Sequence, residues 1–258
     1  MTRPATPTEI MTIVAARALP NRALCFVGIG IPSAAANLAR RLHAPELVLV
    51  YESGTIGAKP EVLPLSIGDG ELAETADTVV SVPEIFACWL QAGRIDIGFL
   101  GAAQIDRYAN LNSTVIGDYR APRVRLPGAG GAPEIAAHAR RVVIVLRQST
   151  RTFVNSLDFV TSAGFLTGGD ARERAGLHGG GPSRVISDLG ILEPDPSTRE
   201  LVLTSVHEGI QVEAVRAATG WPLCVSASLA VTPPPTAEEL AKLRELQERT
   251  ARAHARRR

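Results

Sequence analysis

The sequence has no cysteine framework. Its 258 residues hold only Cys25, Cys88 and Cys224, an odd number at wide spacings with no CxxC or CxxH pairing. That excludes a disulfide scaffold and a cysteine-built structural zinc site. Each cysteine sits among apolar neighbours and reads as a small buried hydrophobe. The histidines, His43, His138, His178, His207 and His254, show no metal-ligand spacing, so no metal is expected. Neither sign of charge dominates. The formal net charge is +1, which gives no reason to expect capture of nucleic acid or of an anionic membrane. The one basic run, Arg256-Arg257-Arg258 with Arg252 nearby, reads as a solvated tail. The longest apolar runs are strand-sized, so no membrane-spanning helix is expected. The first eleven residues carry no apolar stretch behind a basic region, so no secretory signal is expected and a cytoplasmic location is.

What is present is the composition of an ordinary globular protein, 45% apolar and 21% charged, with ample length for a buried core. Thr6-Pro7-Thr8-Glu9 combines a capping residue, a proline at the first helical position and a capping-box glutamate. Residues 23–27 then form a short apolar run, Gly28-Ile29-Gly30 a tight turn, and Pro32 opens a second helix through Ala34, Ala35, Leu38, Ala39 and Leu42. Residues 46–51 are a second apolar run. Strand, glycine turn, helix and strand make a βαβ unit, for which parallel pairing is expected. Residues 82–92 look helical. Strands are expected at 95–100 and 142–146, and weaker ones at 184–187 and 201–205. Thr236 and Glu239 form a second capping box ahead of Leu240, Leu243 and Leu246, placing a C-terminal helix over about 236–254. Runs that are apolar on both faces belong to a parallel sheet covered by helices. The expectation is an α/β fold, an open and mostly parallel sheet with helices on both faces, in a single domain spanning 1–258.

Glycine-rich loops recur at Gly28-Ile29-Gly30, residues 54–57, Gly68-Asp69-Gly70, Gly128-Ala129-Gly130-Gly131, Gly168-Gly169 and Gly179-Gly180-Gly181. Several such loops after strands suggest a ligand lying across the carboxyl ends of a sheet. Glu52, which ends the second strand, has three readings. As a ribose ligand it would complete a dinucleotide fingerprint with Gly28 and Gly30, but the third glycine position is Ser33. As a structural residue it would accept hydrogen bonds from the turn amides. As a nucleophile it would be a rigid, partly desolvated carboxylate at the strand end, where α/β folds place their chemistry. Position alone leaves all three open.

A series of motifs in order resembles the β subunits of family I coenzyme A transferases. Val27-Gly28-Ile29-Gly30-Ile31-Pro32-Ser33-Ala34-Ala35-Ala36-Asn37 resembles the family's G-[IL]-G-x-P…N stretch. Tyr51-Glu52-Ser53-Gly54 looks like its E-[SN]-G motif, and Leu100-Gly101-Ala102-Ala103-Gln104-Ile105-Asp106 its LGAxQVD stretch. Residues 110–118 and 127–132 follow in the family's order. The resemblance runs from about residue 11 to 246. Glutaconate transferases share the outline, and the wording of residues 51–60 and 63–77 looks closer to the branch that acts on 3-oxoadipate.

The resemblance implies that Glu52 is the nucleophile of a ping-pong reaction. It would attack the thioester carbonyl of succinyl-coenzyme A and then carry coenzyme A as a glutamyl thioester to 3-oxoadipate or a similar dicarboxylic acid, in the breakdown of aromatic compounds. Oxyanion and coenzyme A contacts would come from Gly28, Ile29 and Gly30 and from Gly128, Gly130 and Gly131, although residues 128–131 also fit a plain connector. Gln104 could order a water or the acyl group, or make only a strand-end hydrogen bond. Lys59 and Arg123, with Arg125, could meet substrate carboxylates or coenzyme A phosphates, or be solvated charges. Asn37 could brace the Glu52 loop, or sit on a helix surface. No permanently bound cofactor is implied, since the coenzyme A thioester is a substrate. The implied partner is a separate α subunit, in a heterodimer or heterotetramer. A coenzyme A thioester hydrolase on the same fold, a non-catalytic coenzyme A-binding subunit and an NAD-binding enzyme are the rivals.

Overall fold

Thr6 and Glu9 cap the first helix reciprocally, as their spacing requires. In the computed structural model, which describes residues 3–256, the Glu9 amide donates to Thr6 Oγ1 at 3.2 Å and the Thr6 amide to the Glu9 carboxylate at 2.7 Å. Arg257 and Arg258 of the basic end lie outside the described residues. The chain expected as one domain comprises two compact units. One is the stretch up to Phe99 together with that from Pro234 on, and the other is Leu100–Pro233.

In the first unit, α1 (Pro7–Arg17) leads to β1 (Leu24–Phe26), α2 (Ile31–Leu42) and β2 (Val48–Val50). The two strands pair in parallel, Leu24 with Val48 and Phe26 with Val50, which is the expected βαβ unit. Cys25, Phe26, Leu49 and Val50 are buried, as strands covered on both faces must be. β3 (Thr55–Ile56) returns antiparallel to β2. α3 (Gly70–Glu74) and β4 (Thr78–Val79) follow, β4 antiparallel to β3. Residues 82–92 are only partly α-helical. α4 (Val82–Glu84) passes into a π-helical stretch, Ile85–Leu90, where the amides of Gln91 and Arg94 reach Phe86 and Trp89, five residues back. β5 (Ile97–Leu100) then pairs in parallel with β1 on the side away from β2.

In the second unit, β6 (Gln104–Ile105) pairs antiparallel with β7 (Leu111–Asn112), and β8 (Val115–Gly117) with β9 (Pro122–Arg125). After α5 (Ala132–His138) comes the apolar β10 (Arg141–Val145). α6 (Ala171–Arg174), β11 (Pro182–Ile186), β12 (Gly190–Pro194), β13 (Leu201–Val206), α7 (Val212–Ala217) and β14 (Cys224–Val231) complete it. β10 pairs with β11 and β13 with β14 in parallel, while β12 lies antiparallel to both its neighbours. Cys88 and Cys224 are exposed, which corrects the expectation of burial, while Cys25 is buried. Cys224 begins β14, a strand without a fully buried residue, and Cys88 lies on the open side of the π-helical stretch.

The last helix, α8 (Ala237–Arg256), belongs to the first unit and packs on α1 and α2. Its own capping box forms, with the Thr236 amide 2.7 Å from the Glu239 carboxylate. Leu243 and Leu246 are buried, and Arg17–Glu239 and Arg244–Glu9 pairs at 2.6 and 2.7 Å join it to α1. The chain thus has the expected α/β class, built on mixed and largely parallel sheet.

Candidate functional site

The loop that carries Glu52 is a tight hairpin between β2 and β3. The Tyr51 amide donates to the Thr55 carbonyl at 3.0 Å and the Gly54 amide to the Tyr51 carbonyl at 3.0 Å. Gly54 has φ +102°, the left-handed geometry that three-residue hairpin loops place on glycine. A Cβ there would stand 1.9 Å from the Val80 carbonyl oxygen. The turn holds Glu52 half-buried. Among the described residues its carboxylate has no hydrogen-bond or ion-pair partner. The reading in which Glu52 accepts bonds from the turn amides therefore fails.

Tyr51 faces the other way and is fully buried. Its hydroxyl lies 3.3 Å from Ser33 Oγ on α2, and burial pushes the phenol up to about 12. Asn37 donates to the Ser33 carbonyl at 2.9 Å and is buried rather than on the helix surface. Ser33, which broke the dinucleotide fingerprint, thus lies against the residue next to Glu52.

Gly28, Ile29 and Gly30 join β1 to α2. Phe26 pairs with Val50, so Gly28 and Glu52, each two residues further on, leave the carboxyl ends of neighbouring parallel strands together. Gly30 takes φ +83° and ψ −132° as the N-cap of α2, a combination open to glycine alone. Among the described residues the amides of Gly28, Ile29 and Gly30 make no hydrogen bond. Space is open at Gly28 and Gly30, with no atom within 4 Å of an added Cβ. A half-buried carboxylate on such a turn can attack a carbonyl, and the unpaired amides of the neighbouring loop at the helix N-terminus can donate to the oxyanion that forms. Lys59 is in the same unit, exposed and paired with Asp77.

The other expected residues belong to the second unit. Gln104 and Arg123 line a cavity of about 810 Å³ together with Ala103, Ile116, Val124, Arg151, Thr152, Val154, Ser156 and Asp158. Gln104 is buried and largely committed. Its oxygen accepts from Asn112 at 2.7 Å and from the Asp158 amide at 3.1 Å, and its nitrogen donates to Asp158 Oδ2 at 3.0 Å. Gly128, at φ +102°, and Gly130, at φ +48°, form a left-handed loop ahead of α5 whose N-cap is Gly131. Arg151, Thr152, Ser156 and Asp158 were not anticipated, because no motif surrounds them.

Comparison with known proteins matches residues 8–218 to the protein-family model described as Coenzyme A transferase. The B subunit of 3-oxoadipate CoA-transferase from Pseudomonas knackmussii is 60% identical over 95% of either chain. The B subunit of glutaconate CoA-transferase from Acidaminococcus fermentans is 36% identical over 89% of this chain and 88% of that one. The crystal structure of the Acidaminococcus fermentans enzyme superposes with a TM-score of 0.88 at 33% identity, covering 93% of this chain and 94% of that one. The decarboxylase AibA/AibB superposes with a TM-score of 0.80 at 26% identity, covering 93% of both chains. The family's match over most of the sequence, together with the 60% identity of one relative, shows that the chain belongs to the coenzyme A transferase family.

Proposed function

We propose that this chain is the nucleophile-bearing subunit of a coenzyme A transferase that moves coenzyme A from succinyl-coenzyme A to 3-oxoadipate or a similar dicarboxylic acid, with a separate α subunit as its partner. The acceptor is proposed from the 60% identical relative, which is the B subunit of a 3-oxoadipate CoA-transferase. The observation that carries the chemistry is the Glu52 carboxylate, without a partner among the described residues, on the turn next to the loop whose amides at Gly28 and Gly30 are unpaired.

The Glu52 carboxylate attacks the thioester carbonyl and the carbon–sulfur bond breaks. The products are a mixed acyl-glutamyl anhydride and coenzyme A thiolate. The thiolate attacks the glutamyl carbonyl, releases the donor acid as its carboxylate and leaves a glutamyl-coenzyme A thioester. The acceptor carboxylate then runs both steps in reverse, so the thioester's energy is kept from water. Each tetrahedral stage places negative charge on oxygen, which backbone donors from the loop at Gly28 would stabilise. Unpaired amides are ready for that task without prior rearrangement. The reaction needs no resident cofactor.

The test uses this chain coexpressed with its partner chain. The wild-type pair incubated with succinyl-coenzyme A and then borohydride should carry a reduced Glu52 by mass spectrometry. Glu52→Gln should fold normally and lose transfer by roughly 10³-fold or more, as loss of a covalent nucleophile does. Retained turnover would exclude Glu52 as the nucleophile. Release of free thiol at full rate without an acceptor acid would favour a hydrolase instead.

A further inference from the structure

We infer that the cavity in Leu100–Pro233 is an anion-holding subsite whose binding groups are the guanidiniums of Arg123 and Arg151, and that it takes the second acidic group of a substrate. This deepens the transferase reading and rests on it. The group is an oxyanion that accepts paired N–H bonds, from either of two sources: the distal carboxylate of the acyl acid or a phosphate of coenzyme A.

The first support is the state of the arginines. Most in this unit are committed. Arg107 donates to Asn155 at 2.8 Å, Arg125 stacks 4.6 Å from the Tyr119 ring, Arg184 pairs with Glu193 at 2.6 Å, and Arg199 lies 5.4 Å from the Phe165 ring. Arg172 gives its donors to the carbonyls of Ala136, Ala137, Ala163, Gly164 and Gly179. Arg123 and Arg151 line the cavity, and among the described residues neither has a hydrogen-bond, ion-pair or ring partner. Each unpaired guanidinium offers a planar donor fork that matches an oxyanion in the cavity.

The second support is the rest of the lining. The one carboxylate, Asp158, is tied down, with Oδ2 accepting from Gln104 and from the Gly117 amide, both at 3.0 Å. Two cations against one anion leave the cavity positive. Ile116, Val124, Val154 and Ala103 supply apolar wall. A volume of about 810 Å³ lies in the range of small-molecule sites. Apolar wall with cations suits methylene groups that end in an anion.

The test is kinetic, with Arg123→Gln and Arg151→Gln in the coexpressed pair. Both residues are exposed, so the fold should be kept. The KM for the dicarboxylic acceptor, for a 3-oxo monocarboxylic acid of equal length and for succinyl-coenzyme A are compared. Either variant should raise one KM roughly tenfold or more while kcat changes far less, the loss of a charge-assisted contact, with Arg151→Lys recovering part of it. A rise confined to the dicarboxylic acid identifies the distal carboxylate. A rise confined to the thioester, reproduced in the wild type by dephospho-coenzyme A, identifies a phosphate. If every KM in both variants stays within about twofold of wild type, the subsite is refuted. A wild-type pair without transfer activity would overturn the functional reading and not this one. Calorimetry with adipate and with adenosine 3′,5′-bisphosphate then decides. Binding lost in Arg151→Gln supports the subsite, and no binding or unchanged binding overturns it.

Discussion

The Tyr51 hydroxyl lies 3.3 Å from Ser33 Oγ, and this buried contact ties the turn that carries Glu52 to the helix that Gly30 caps. A glycine at position 33 would leave the phenol without that neighbour. The feature that breaks the dinucleotide fingerprint is thus in contact with the residue that precedes Glu52.

Tyr51→Phe tests that link. The variant keeps the ring and its packing but strands Ser33 Oγ in the core. A buried hydrogen bond of this kind is worth about 1 kcal/mol, so urea melts should shift by about that much. If the contact also aims Glu52, kcat of the assembled enzyme should fall several-fold with little change in KM, and Tyr51→Phe combined with Ser33→Ala should recover more stability than rate. Unchanged kcat would assign the pair to packing alone.

Gly54 and Gly30 both have positive φ, at +102° and +83°, but they should respond to alanine differently. At Gly54 the added methyl carbon meets the Val80 carbonyl oxygen at 1.9 Å, so the hairpin must open. At Gly30 it meets nothing within 4 Å, and the cost is backbone strain of about 1–3 kcal/mol. Gly54→Ala should therefore lower the thermal midpoint more than Gly30→Ala. Gly30→Ala should lower kcat out of proportion to its stability loss if the Gly30 amide serves the oxyanion. Equal losses of stability would contradict the steric argument.

Much of the first unit was legible in the sequence because its signals are local. The apolar runs at 23–27 and 46–51 became β1 and β2 within a residue or two, and both capping boxes formed. β14 was not legible, since a strand whose residues are all exposed or half-exposed has no apolar run to show. The helical spacing over 82–92 could not reveal a π-helical register, which depends on tertiary packing. Glu52 was legible by position, but which groups reach its carboxylate is decided only by the fold. Arg172 looks like a surface residue in its stretch of sequence, yet it is buried, and backbone carbonyls from α5 and from the segments on either side of α6 accept its donors. Arg151 was missed for a similar reason, because only the fold sets it in one cavity with Arg123.

The pairing of α1 with α8 should make stability depend on acid. The Glu9 side chain is nearly fully buried and accepts from Arg244 at 2.7 Å, from Arg3 at 3.3 Å and from the Thr6 amide at 2.7 Å. The Arg244 bond, opposed by burial and helped by the Thr6 bonds, holds the carboxyl at about 2 against an ordinary 4.5. Because the folded value is depressed, the stabilisation is complete above about pH 4.5. It is lost as pH falls from there through about 2, where the folded state also takes up the proton. Glu9→Gln keeps the capping-box geometry and removes only the charge. Near pH 7 it should cost on the order of 2 kcal/mol in urea unfolding. That difference should shrink steadily between pH 4.5 and 2, because wild-type Glu9 loses its charge over the same range. A difference that is constant with pH would mean that the Glu9 charge contributes nothing and that the variant acts through packing alone.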